Sequence, residues 1–220
     1  ILLNTTDGKD QYKKEFIEGI YGMGKAKNIP IKEINIDNIQ ASLSTVQDLI
    51  RIDKTNVFIP TSGSDAALNK VVPLLQLVKS QDVVKAPTIL FGYPEWQTYT
   101  ADQLQNFFEL DTYFYSSFYT NNLLPSAKNF INNYRQWYKK EMINTFPKYG
   151  MLGFDTAFYF LHGLASYGTG LENNLDKIDL TPIQTGFKFN RVSNWGGFIN
   201  KKVFFVHFTN DFELIKLDFD

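Results

Sequence analysis

The chain has 220 residues, 44% apolar and 16% aromatic, with 22 basic against 23 acidic side chains. This specifies a folded α/β-sized globular chain of one large or two small domains, and a formal charge of −1 gives no reason to expect a nucleic-acid or anionic-membrane partner. The absence of cysteine excludes disulfides and thiolate chemistry, His162 and His207 are too few for a His-rich metal site, and no apolar run of 18 residues predicts a spanning helix.

The chain opens on Ile1-Leu2-Leu3-Asn4, with neither methionine nor a signal-like segment, and reads as the middle of a larger polypeptide entering directly on a strand. A polar turn, Asn4 to Gly8, leads to a helical pattern over 9–27 with Phe16, Ile17, Ile20 and Met23 at core spacings. Pro30 and the alternation Ile31 to Ile36 give a second strand, and Leu43, Val46, Leu49 and Ile50 mark a second helix. Val57-Phe58-Ile59 is the third strand. Its helix, over 64–80, carries Pro73, which removes a backbone hydrogen bond and predicts a kink. Pro87 to Gly92 is a fourth strand, a short helix covers 101–108, and Thr112 to Tyr119 is an aromatic fifth strand. This alternation predicts a doubly wound parallel five-stranded sheet, with its strand–helix turns on one edge.

After residue 120 the alternation stops. Two consecutive helices follow, the first N-capped by Ser126 with Phe130, Tyr134, Trp137 and Met142 along one stripe, the second over 150–167 and apolar enough to predict burial on more than one side. Residues 168–185 read as loop. Strand-like alternation returns at Phe187 to Asn190, Asn194 to Gly197 read as a turn or a bulge, and Val203 to Phe208 pairs with Phe212 to Leu217 as a closing β-hairpin.

The turn Thr61-Ser62-Gly63-Ser64 draws attention because ligands in open α/β sheets sit at the carboxyl ends of strands, where a helix start offers unpaired N–H groups. The competing reading makes Ser62 or Ser64 an N-cap only. Ser62-Gly63-Ser64-Asp65 lacks the glycines of a nucleophile elbow, and no Gly-rich dinucleotide or nucleotide fingerprint follows the first strand. A non-catalytic binding protein without cofactor or metal is therefore expected.

Several stretches carry a family resemblance: Ile1 through Tyr12, Asn56 through Ser64, Leu90-Phe91-Gly92-Tyr93-Pro94-Glu95-Trp96, Tyr149 through Ala157, and the aromatic hairpin. Their order resembles the second half of a type I periplasmic-binding-protein fold, the leucine/isoleucine/valine-binding-protein architecture. The wording Phe91 to Gln97 and Tyr134 to Tyr138 resembles a subgroup attached to LysM repeats in the cell envelope. The resemblance implies lobe two over 1–120, helices returning to lobe one over 121–185, and strands rejoining lobe two over 186–220, with the N-terminal part of lobe one absent. It also implies a periplasmic or outer-membrane-associated location, and a small polar ligand, an amino acid above all, or a peptidoglycan-related partner. A dimer through the exposed face of the returning helices is a further expectation.

By resemblance the ligand contacts fall at Tyr12 after the first strand, Thr61, Ser62 and Ser64 after the third, and Glu95 after the fourth, with Tyr93 and Trp96 as an aromatic wall and Asp155 near the start of the second returning helix. A carboxylate at Glu95 suits a ligand ammonium. Each has a structural alternative: solvated loop acid for Glu95, local turn packing for Tyr93 and Trp96, a helix N-terminal acid for Asp155. His162 reads as a core or interface histidine and His207 as structural.

Overall fold

The structure, a computed structural model, describes residues 1–5, 11–80, 86–122 and 124–218, with the backbone alone at 11–13 and 39–41. In chain order it contains β1 (Leu2–Asn4), α1 (Gln11–Lys27), β2 (Glu33–Asn35), α2 (Ile39–Leu49), β3 (Asn56–Pro60), α3 (Asp65–Ser80), β4 (Thr88–Gly92), α4 (Thr100–Glu109) and β5 (Thr112–Ser116). Then come α5 (Pro125–Tyr138), α6 (Tyr149–Tyr167), β6 (Phe189–Arg191), β7 (Phe198–Asn200), β8 (Phe204–Phe208) and β9 (Leu214–Asp218). The chain forms two compact units, one of Ile1–Phe114 with Phe205–Leu217, the other of Tyr115–Phe204 with Asp218–Asp220.

The main sheet has the order β2-β1-β3-β4-β5-β8-β9. Its first five strands are parallel, with Leu3 paired to Ile34 and Pro60, Val57 to Ile89, and Phe91 to Tyr113. The closing hairpin is present as the sequence predicts, and β8 and β9 add to the β5 edge of the sheet. The chain runs from β1 outward to β2, then crosses back to β3 on the other side of β1. The direction of winding therefore reverses between β1 and β3.

Alternation buries Phe58, Leu90 and Phe114 from successive strands of the first unit, and α3 lays Leu68, Val71, Leu74, Leu75 and Val78 in its core. Asn56 fixes the entry to β3, its Oδ1 accepting from Arg51 N at 2.9 Å and its Nδ2 donating to the Arg51 and Lys54 carbonyls, both at 3.0 Å. Pro73 lies inside α3, which runs past it as one helix. An aromatic lattice fills one region of the core: Trp96 stacks on Phe107 at 5.5 Å, and Phe107 meets Phe208 at 5.5 Å. His207 is structural here, stacked 3.7 Å from Tyr113 with Nε2 at 2.6 Å from Asp111 Oδ1. Burial and the nearby Asp111 carboxylate raise the Tyr113 phenol above its usual pKa.

The second unit corrects four local expectations. The fifth strand stops at Ser116, because the Ser116 hydroxyl turns the chain by accepting from Phe118 N and donating to Phe118 O. α5 starts at Pro125 with Leu124 as its N-cap, so Ser126 sits inside the first turn; proline's fixed φ and missing N–H suit that first position. α6 buries a single stripe, Met151, Asp155, Tyr159 and Gly163, and leaves Phe154, Phe158, Leu161 and Leu164 exposed by 44–65%. His162 is exposed beside them, so the core reading of that histidine does not hold.

One segment covers the buried stripe of α6. Tyr159 donates to Leu175 O at 2.6 Å and stacks on Phe187 at 4.3 Å. The Asp155 carboxylate, 1% exposed, accepts from the backbone N–H groups of Ile183, Gln184 and Thr185 at 2.8, 2.8 and 2.9 Å. Charge-assisted bonds of this kind contribute more than neutral ones, and their loss leaves buried donors unpaired. Asp155→Ala is therefore expected to destabilise the protein by on the order of 4 kcal/mol in urea unfolding, with Asp155→Asn retaining part of that. A wild-type urea midpoint for Asp155→Ala would contradict the anchoring role.

Candidate functional site

Three turns meet at the carboxyl edge of the parallel strands in the first unit. Thr61 follows β3, and its N–H donates to Leu3 O at 2.9 Å. Its hydroxyl lies 3.2 Å from Asn4 Oδ1 and accepts from Thr5 N at 3.2 Å. Thr61 thereby ties the end of β1 to the end of β3, at the point where the chain reverses direction across the sheet.

Ser62 and Ser64 build the start of α3. Ser62 Oγ, nearly buried, accepts from Ser64 N at 3.3 Å and lies 3.1 Å from Ser64 Oγ. Ser64 Oγ accepts from Ala67 N at 3.1 Å, the third residue of the helix, which is the N-cap arrangement. The serines therefore order the turn, and the positive end of the α3 dipole lies just beyond them.

The turn after β4 supplies the third wall. Pro94–Thr98 forms a 3-10 turn, and Tyr93 and Trp96 are both 0% exposed. Tyr93 Oη donates to Pro60 O at 2.7 Å, and Trp96 Nε1 donates to Gly63 O at 3.1 Å. Both rings thus brace the β3 turn from behind and present no open aromatic wall in this structure. Glycine is required twice by close approach: a Cβ on Gly92 would strike the Trp96 ring, and one on Gly63 would lie 2.6 Å from Glu95 Oε1 and 2.7 Å from the Tyr93 ring. Glu95 itself is partly exposed, with its carboxylate over Gly63 at the start of α3.

Thr61, Ser62, Ser64, Tyr93, Glu95 and Trp96 are therefore assembled by the fold at one edge, although β3 and β4 turns lie some thirty residues apart in sequence. Tyr12 opens α1, and its side chain lies outside the described residues, as do residues 6–10. Asp155 belongs to the second unit, where its carboxylate is held by the 183–185 backbone. The sequence predicts that the turn beginning at Asn4 meets the other two at this edge, but the specific roles of Asn4 and Thr5 follow from β1 and β3 being neighbours. A polar pair ending an apolar strand was the available signal.

The stripe Phe130, Tyr134 and Trp137 lies elsewhere, in the second unit. It lines a groove of about 330 Å³ on α5 and α6, with Phe130 meeting Phe154 at 5.1 Å and Trp137 80% exposed. Met142 lies beyond the end of α5. Among the described residues no three His, Asp or Glu side chains are placed to hold a metal ion, and no helix is long and apolar enough to cross a membrane.

No protein-family model matches the chain, and no curated protein sequence does. Solved structures do. An ABC transporter substrate-binding protein from Desulfitobacterium hafniense, in complex with Leu, superposes with a TM-score of 0.55 at 14% identity, over 98% of this chain and 59% of its own. A second structure of an ABC transporter substrate-binding protein from the same organism gives 0.57 at 15% identity, over 99% and 60%. The chain thus spans about three fifths of the length of these proteins. Identities this low speak for fold: the chain has an α/β architecture with a mostly parallel sheet and a C-terminal hairpin, similar to that in ABC transporter substrate-binding proteins.

Proposed function

We propose that the carboxyl edge of β1, β3 and β4 is a non-catalytic binding surface for a small polar solute, an amino acid above all, in an extracytoplasmic receptor of the periplasmic-binding-protein type. The observation that carries this reading is the strand order β2-β1-β3-β4-β5, whose reversal point coincides with the Thr61–Ser64 turn. Crevices at such reversals are where open α/β sheets take ligands. The α3 N-terminus suits a ligand carboxylate, with Thr61 and Ser64 beside it. Glu95 suits the ammonium, and the Leu of one similar structure carries both groups. Tyr93, Trp96 and Ser62 hold this surface in shape.

Calorimetry with the natural polypeptide and a panel of free amino acids tests the assignment. Glu95→Ala is expected to weaken binding by roughly 10- to 150-fold, the worth of one charge-assisted hydrogen bond. Unchanged affinity in that variant would remove Glu95 from the site.

The burial of Tyr93 and Trp96 favours a second reading, in which the fold serves as a peptidoglycan-related or LysM-associated envelope module without solute transport. Retention on purified peptidoglycan with no response to any amino acid would select it. Either reading leaves the α6 face of Phe154, Phe158, Leu161 and Leu164 open, and contiguous exposed apolar surface of this kind marks an interface. A second copy pairing through that face predicts a dimer in sedimentation equilibrium; a monomer at all concentrations would contradict it.

A further inference from the structure

The β6–β7 hairpin of the second unit takes no part in the surface described above. It forms a two-stranded sheet of its own, pairing Phe189 with Asn200, Asn190 with Ile199, and Arg191 with Phe198. The pairing continues at both ends, with Lys201 N donating to Lys188 O at 2.8 Å and Val192 N to Gly197 O at 2.9 Å. Gly196 N donates to Ser193 O at 3.1 Å, so the tip is a closed turn that carries Trp195.

Alternation along paired strands divides the hairpin into two faces. Phe187, Phe189, Arg191 and Phe198 share the inner one. Phe189 meets Tyr159 and Phe160 of α6, and Arg191 lies 4.5 Å over the Phe198 ring while pairing with Glu172 at 3.3 Å. The outer face carries Lys188 opposite Lys201, then Asn190 opposite Ile199, then Val192. Exposure rises toward the tip, from 46% at Ile199 and 61% at Val192 to 100% at Trp195. The face is thus graded, cationic at its base and apolar at its end.

The charge is one-sided as well. Residues 186–203 contain Lys188, Arg191, Lys201 and Lys202 and no acidic residue, and none occurs from 180 to 210. The overall charge of −1 conceals this local excess. Arg191 and Lys202 are paired within the unit, Lys202 with Asp218 at 2.9 Å. Lys188 and Lys201 are exposed and form no ion pair among the described residues.

We propose that this hairpin docks on the surface of an anionic phospholipid bilayer, with Trp195, Val192 and Ile199 entering the interface and Lys188 and Lys201 reaching lipid phosphates. The graded face fits that occupant. Lys188 and Val192 are four positions apart along the chain, ~13 Å at the usual strand rise, and lysine stems reach back along apolar surface to place their charge at headgroup depth. Tryptophan prefers the boundary between headgroups and acyl chains, and cations near an anionic leaflet are attracted to it. A soluble polyanion would meet the lysines and find nothing to bind at Val192 or Ile199. The contact is peripheral and reversible, since one hairpin tip is far smaller than a spanning element.

Sedimentation of the full chain with vesicles tests this directly. The chain is expected to sediment with equimolar phosphatidylcholine and phosphatidylglycerol vesicles, to stay in solution with phosphatidylcholine alone, and to be released by salt. Lys188→Gln and Lys201→Gln should each weaken binding by about fivefold, and Lys188→Arg should retain it. Trp195→Ser should weaken it by at least ~10-fold, with an unchanged thermal melt, because the side chain is fully exposed. Three results would overturn the proposal: no sedimentation with anionic vesicles, equal sedimentation with both vesicle types, or binding unaffected by Trp195→Ser. Retention on dextran sulfate that Trp195→Ser leaves intact would assign the lysines to a polyanion and also overturn it.

Discussion

Two hydrogen bonds hold the edge of the main sheet in its shape, Tyr93 Oη to Pro60 O at 2.7 Å and Trp96 Nε1 to Gly63 O at 3.1 Å. Both are fully buried, where an unmade bond costs more than a made one gains. Their consequence is geometric. They draw the β4 turn against the β3 turn so closely that residues 63 and 92 must be glycine, and they set the Glu95 carboxylate over the start of α3. Trp96 then continues through Phe107 to Phe208, so the same aromatic side chain links the turn to the hairpin strand of the sheet. A sheet edge made of short polar turns needs such support, because the turns have little packing of their own.

The two carboxylates singled out in the sequence meet different fates for a physical reason. Asp155 lies on a helix face covered by the 183–185 segment, whose three N–H groups have no strand partner to satisfy them, and it becomes their acceptor. Glu95 sits in a 3-10 turn at the sheet edge and stays partly exposed. From sequence Glu95 is a turn acid and Asp155 an acid near a helix start, each open to a ligand or a structural role. Only the identity of the covering segment separates them.

Much of the fold was legible because its signals are local. Apolar runs ending in polar turns mark β1, β3 and β4, and helical spacing of apolar residues marks α1 and α2. The neighbour relation of β1 and β3 was not legible, since strand order depends on crossovers that no local pattern encodes, and with it the Asn4–Thr61 link was hidden. The composition of α6 misled in the opposite direction. Phe154, Phe158, Leu161 and Leu164 are apolar enough for a core helix, but only the stripe through Met151 and Tyr159 is covered within the unit. In the β6–β7 hairpin, the sequence left Asn194 to Gly197 as a turn or a bulge; the grading of the outer face needed the strand register.

The central claim is that a small polar solute is held at the carboxyl edge between β1 and β3. Hydrogen–deuterium exchange of the backbone, with and without a free amino acid that calorimetry shows to bind, tests it most directly. Slower exchange confined to the amides of residues 61–67 and 93–98 is the predicted result. Protection that appears instead on α5 and α6, with those two turns unchanged, would contradict it.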